Sequence, residues 1–216
     1  MFLFFNGCSY TKGYELDDWE NDRFSTLVSN HFKADHKNIA RGGQSNDQIV
    51  LRSLEFLENN SCDYAIIMLT HCQRNTFNGP SRDNKKLYPR LDRYFYENYY
   101  DDILRLNGDV GRLNFYKNRY ILEQEFKKRN IPLLLLQYHD VQGKNYWRRM
   151  CNGEIQTVAD RYSPEIFFGE KKSLLGLFCN KKYYYNDNKK EILFHFNIKG
   201  HRKIADYIIG ELTSTI

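Results

Sequence analysis

Residues 63–70 read DYAIIMLT, an apolar run in which no polar side chain interrupts Tyr64 to Leu69. A strand wetted on one face alternates apolar and polar residues, so an unbroken run needs cover on both faces. That cover comes from helices, and the chain supplies them between its apolar runs. FLFF at 2–5, HKNIA at 36–40 and IPLLLLQYH at 131–139 are further strand candidates. WENDRFSTLVSNHF brings Phe24, Leu27, Val28 and His31 to helical spacing. SNDQIVLRSLEFLENN opens on cap-type Ser45 or Asn46 and aligns Ile49, Val50, Ser53, Leu54 and Leu57 on one face. GRLNFYKNRYILEQEFKKRN does the same with Leu113, Tyr116, Tyr120, Leu122 and Phe126, and NIKGHRKIADYIIGELTS with Ile204, Ile208 and Leu212. Strands alternating with helices predict an α/β three-layer sandwich, with a flavodoxin-like parallel sheet of about five strands.

The 216 residues suit one domain spanning 1–216, large enough to bury a core without metal or disulfides. Two polar, Tyr-rich stretches, at about 75–110 and 141–190, interrupt the alternation and read as insertions near the carboxyl ends of the strands. The five cysteines show no spacing of a disulfide frame or a zinc site, which favours reduced thiols. Met1 to Phe5 is too short for a signal sequence and no run is long enough to span a bilayer, so a cytoplasmic protein away from membranes is expected. A surplus of +5 charges is small. The densest basic stretch, NKKYYYNDNKKE, could contact nucleic acid, but no nucleic-acid motif accompanies it and a solvated loop is the expected reading. No His, Asp and Glu cluster has metal spacing; neither metal nor cofactor is expected.

Ser9 follows the first strand and His195 precedes the last helix. In a doubly wound sheet the carboxyl ends of the strands form the ligand crevice, where residues from opposite ends of a chain can meet. A serine hydroxyl needs a base to become a nucleophile, and histidine titrates in the right range. Ser9 and His195 are therefore the expected catalytic pair. Cys8 sits beside Ser9 but points the other way if side chains alternate, which suits packing.

These residues carry a resemblance. NGCSYTKG resembles the first block of the SGNH hydrolases (GDSL-type esterases), whose nucleophilic serine lies in Gly-x-Ser-x-Thr. NIARGGQSN is similar to the second block, and HFNIKGHRKIADYI to the last, with His195, Asn197 and Gly200 in the family's spacing. Gly-Cys-Ser-Tyr-Thr with Gly-Gly-x-Ser-Asn also resembles small hydrolase-like proteins of phages and marine microbes, which extends the resemblance to a virus-encoded source. The resemblance implies the SGNH hydrolase fold, ester hydrolysis on a small ester or acylated carbohydrate (an acetylesterase, for example), and an oxyanion hole from the N–H groups of Ser9 and Gly43. Asn197 then reads as a helix cap, and Gly200 as close packing of the helix on the sheet.

The chain departs from the pattern at three places. Cys8 stands where the family has Asp. LTHCQRN, after the run at 64–69, lacks the family's glycine and asparagine in register; Asn46 and Arg74 are the favoured substitutes, with His71 and Gln73 behind them. Ile192 occupies the position of the acid, three residues before His195, leaving Glu191 and Asp187 as acid candidates. A Ser–His dyad, an incomplete triad and a weak or dead enzyme all stay open. His71, Arg74 and His139 follow buried strands and are candidate substrate-binding residues. His201 and Arg202 are expected to face solvent, while Tyr14 and Trp19 could line the cleft. The rival reading from another class is a non-catalytic carbohydrate-binding module on a degenerate scaffold. A phosphate or flavin cradle at NGCSYTKG is disfavoured by the acidic ELDDWEND that follows it.

Overall fold

Side chains on the first strand alternate between two cores, and that alternation organises the whole molecule. In the computed structural model, which describes residues 1–70, 114–137, 185–186, 191–192 and 195–214, β1 (Phe2–Asn6) sends Leu3 and Phe5 to one side and Phe4 to the other. β3 (Tyr64–Leu69) repeats the pattern: Tyr64, Ile66 and Met68 join the first core, Ala65, Ile67 and Leu69 the second. All six β3 residues are buried, as an apolar run covered on both faces must be.

β1 lies between β2 (Asp35–Asn38) and β3, and β4 (Leu133–Gln137) pairs with β3, giving the order β2-β1-β3-β4. Every pairing in this sheet is parallel; Phe5, for instance, faces Asn38 on one side and Ile66 on the other. Four strands, rather than the expected five or so, make up this sheet among the described residues. A separate antiparallel pair joins β5 (Tyr185–Asn186) to β6 (Glu191–Ile192). The two expected insertions lie largely outside the described residues.

Helices cover both faces. The first core receives Phe24 and Val28 from α3 (Phe24–Phe32) and Ile204, Ile208 and Leu212 from α6 (Ile198–Thr213). The second receives Ile49, Val50, Phe56 and Leu57 from α4 (Asn46–Asn59), and Phe115, Leu122 and Phe126 from α5, at 114–128. Phe4 stacks on Phe56 with ring centroids 3.9 Å apart. Burying a side chain of this size contributes about 1.5–3 kcal/mol. This is the expected α/β/α sandwich. Among the described residues no helix is long and apolar enough to cross a membrane.

Three local expectations change. WENDRFSTLVSNHF forms two helices, α2 (Trp19–Asp22) and α3, because Arg23 between them adopts extended backbone and lays its guanidinium over the Trp19 ring, 4.9 Å from the centroid. Tyr120 is exposed rather than on the buried face of α5. His201 is fully buried instead of facing solvent, because the α6 stripe is wider than Ile204, Ile208 and Leu212 and rolls His201 against Phe24.

Candidate active site

The chain leaves β1 through Asn6 and Gly7. Asn6 is fully buried; its amide donates to the Ile49 carbonyl at 2.8 Å and to Ser53 Oγ at 2.9 Å, and its Oδ1 accepts from the Gly7 N–H. Gly7 is required by crowding: a Cβ there would lie 2.1 Å from Thr11 Oγ1 and 3.0 Å from the Met68 carbonyl oxygen. Cys8 then caps the short helix α1 (Ser9–Lys12) and buries its thiol in the first core, as expected for a packing residue. Ser9 is thus the first helical residue at the carboxyl end of β1. Asn38, at the end of β2, holds α1 from the other side by donating to the Thr11 carbonyl at 3.0 Å and to Ser25 Oγ at 2.8 Å.

His195 arrives from the far end of the chain. Its Nε2 is 2.8 Å from Ser9 Oγ, across a sequence separation of 186. Asn197 caps α6 by accepting from the Gly200 N–H at 3.0 Å, which fixes the helix start two residues after the imidazole. Gly200 lies in close packing: an added Cβ would meet Phe196 Cβ at 2.9 Å. Ser9 is 5% exposed and the His195 side chain 16% exposed, so the pair is largely shielded from water.

The third residue at the imidazole is one that sequence reading passes over. Glu15 Oε2 accepts from the His195 main-chain N–H at 3.0 Å and lies 3.2 Å from His195 Nδ1. Of the expected acids, Asp187 is outside the described residues and Glu191 is described only as backbone in β6. The available signal was the acidic run ELDDWEND, directly after α1. Gly13 caps α1 in the left-handed region at φ 84° and Glu15 repeats that conformation at φ 70°, so the chain doubles back towards Ser9. Tyr10 and Tyr14 flank the imidazole, their centroids 4.7 Å and 5.5 Å from it. One short segment, residues 9–15, therefore surrounds His195.

The second sequence block reaches the same place. The Arg41 N–H donates to the Gly7 carbonyl at 3.3 Å and to Gln44 Oε1 at 2.9 Å. A Cβ on Gly42 would stand 3.8 Å from the Tyr14 ring and 4.0 Å from Ser9 Cβ. Gly43 has φ 77°, which favours glycine. Asn46, expected as a substitute oxyanion donor, is held at both ends of its amide. Its Oδ1 accepts from the Thr70 N–H at 2.8 Å and its Nδ2 donates to the Thr70 carbonyl at 3.3 Å, so the amide braces the end of β3. Arg74, His71 and His139 lie outside the described residues. Among the described residues, no three His, Cys, Asp or Glu side chains come close enough to hold a metal ion.

No family model matches the chain, and no curated protein matches it. Solved structures do. TesA superimposes with a TM-score of 0.58 at 12% identity, each chain covered to 100%. A psychrotrophic esterase, EstA from Pseudoalteromonas sp., gives 0.54 at 10% identity, covering 99% of this chain and 97% of its own. The acetyl xylan esterase AlAXEase gives 0.51 at 14% identity, with 98% and 99% covered. The chain has the fold of the SGNH hydrolases.

Proposed function

We propose that this chain is a serine hydrolase of ester bonds, with a small ester or an acylated carbohydrate as substrate, Ser9 as nucleophile and His195 as general base. The single observation carrying this reading is the 2.8 Å approach of His195 Nε2 to Ser9 Oγ at the carboxyl end of a parallel sheet. With the imidazole proton on Nδ1, Nε2 accepts the serine hydroxyl. As Oγ attacks the acyl carbonyl, Nε2 takes the hydroxyl proton and then returns it to the departing alcohol, leaving an acyl-serine. Water, deprotonated by the same nitrogen, then attacks the acyl carbonyl; the bond to Oγ breaks, the proton passes from Nε2 to Oγ, and the acid is released.

The negative charge on the tetrahedral intermediate needs donors already aimed. The Ser9 N–H, at the first position of α1, and the Gly43 N–H are assigned to it, with the second Nδ2 hydrogen of Asn46 as a third donor. The resemblance of the fold to esterases, one of them acting on acetyl xylan, supports the choice of ester chemistry.

A fluorophosphonate probe tests the reading. The folded wild-type chain is expected to form an adduct on the peptide containing Ser9, located by mass spectrometry. Ser9→Ala should abolish labelling and reduce p-nitrophenyl acetate turnover by about 10⁴-fold or more. A folded chain that takes no label would remove the nucleophile and favour a non-catalytic binding module on the same scaffold.

A further inference from the structure

We infer that Glu15 is the carboxylate that positions His195, so that the nucleophile's own turn, and not the segment preceding the histidine, supplies the acid. The inference rests on the Ser9–His195 reading above and concerns how the imidazole is held.

The geometry of one oxygen carries it. Glu15 Oε2 lies 3.0 Å from the His195 main-chain nitrogen and 3.2 Å from its ring Nδ1. Among the described residues the ring nitrogen is buried and makes no hydrogen bond, and this carboxylate is the group that stands against it. Hydrogen bonds of this kind are often poorly aligned in a free enzyme and tighten when substrate binds. Turned onto the Nδ1–H axis, the Glu15 carboxylate would accept that hydrogen. That bond would hold the tautomer in which Nε2 faces Ser9 Oγ, and the negative charge would stabilise the imidazolium formed during attack.

The backbone is a second, independent observation. Glu15 sits at φ 70°, a region that a β-carbon makes unfavourable and that Gly or Asn accepts more readily. A glutamate kept in such a conformation beside a reactive pair is the pattern of strain held at functional sites. At the position where an acid was expected, three residues before His195, the chain has Ile192. Tyr10 and Tyr14 lie on the same segment and stand beside the ring, so residues 9–15 bring two aromatic side chains and a carboxylate to the base.

Three variants test it, assayed with p-nitrophenyl acetate and with the rate of fluorophosphonate labelling. Glu15→Gln keeps size and removes charge; kcat is expected to fall about 10²- to 10⁴-fold with KM held within about threefold. Glu15→Asp restores the carboxylate on a shorter arm and should recover at least about tenfold over Glu15→Gln. Glu15→Asn relieves the left-handed backbone, so its melting midpoint should equal or exceed wild type while turnover falls as in Glu15→Gln. Turnover within about threefold of wild type in Glu15→Gln would overturn the inference. A parallel loss of melting midpoint and turnover in all three variants would also overturn it, by making Glu15 purely structural. A folded wild type that takes no label would end the hydrolase reading itself. A labelled wild type matched by an equally labelled Glu15→Gln would end only this inference.

Discussion

At the scale of single residues, His201 shows how a titratable side chain can be committed to structure while its neighbour is committed to chemistry. It is fully buried, and its Nδ1 accepts from the Phe24 N–H at 3.2 Å. Phe24 is the first residue of α3, whose own cap position, Arg23, contributes no side-chain hydrogen bond. A histidine on α6 therefore caps α3 from across the core. Burial first, and then the charge of His195, hold the His201 imidazole down at about 3. In the unfolded chain the group protonates near its ordinary value of about 6.5. The unfolded state thus binds the extra proton, and stability present above pH ~6.5 is lost as pH falls towards 3, at about 1.4 kcal/mol per pH unit. Protonation would also remove the acceptor and set a positive charge against a helix amino terminus. Melting midpoints measured from pH 7 to 4 should fall more steeply for wild type than for His201→Gln, which keeps an acceptor but does not titrate. Equal slopes would show that His201 is not the group responsible. The sequence places His201 on the last helix beyond the site, which suggests the solvent side; a fold in which α6 packs on α3 reverses that.

Between elements, the decisive contacts come from short polar side chains at strand ends. Asn6 ties β1 to α4, Asn38 ties β2 to α1 and α3, and Asn46 ties α4 to the end of β3. Together they fix the turn carrying Ser9 against three elements without charge. Asn6→Ala would leave the Ile49 carbonyl and the Gly7 N–H with fewer partners in a dry interior. A loss of about 2–4 kcal/mol in urea unfolding is expected, with slower labelling of Ser9 in the folded fraction. A change below about 1 kcal/mol would mean that the turn holds itself without Asn6. Much at this scale was legible. The cap at Ser45 is observed as a full capping box with Gln48, and Asn197 caps α6, because a cap is decided by residues only a few positions apart. The break at Arg23 was not legible, since its extended backbone is set by contacts with Trp19 and its cap comes from His201.

The whole molecule divides its sheet between two cores, and only one of them carries the base. α6 follows His195 and anchors in the first core through Ile204, Ile208 and Leu212; α5 packs in the second core, on the other face of the sheet. Ile208→Ala and Phe126→Ala should each cost about 2–5 kcal/mol in stability, through lost burial and the cavity left behind. At a temperature where both variants stay folded, labelling of Ser9 should fall several-fold in Ile208→Ala and stay near wild type in Phe126→Ala. Equal slowing in the two variants would show that the site depends on global stability and not on the seating of α6.

The amino-acid sequence determined the layered α/β architecture, the β1 turn and the approximate ends of α4 and α6. Each of these is written in apolar period or in local cap and turn chemistry, over spans shorter than a helix. It also marked Ser9 and His195, since residue type and strand order are enough to bring the two ends of such a sheet together. What only the tertiary structure decided was which group stands behind the imidazole and which histidine is buried. Both depend on how a left-handed turn at Gly13 and Glu15 folds the chain back, and on how α6 rolls against α3. Contacts between residues 180 positions apart leave no periodicity in a sequence, because they are fixed by packing and not by the neighbouring chain.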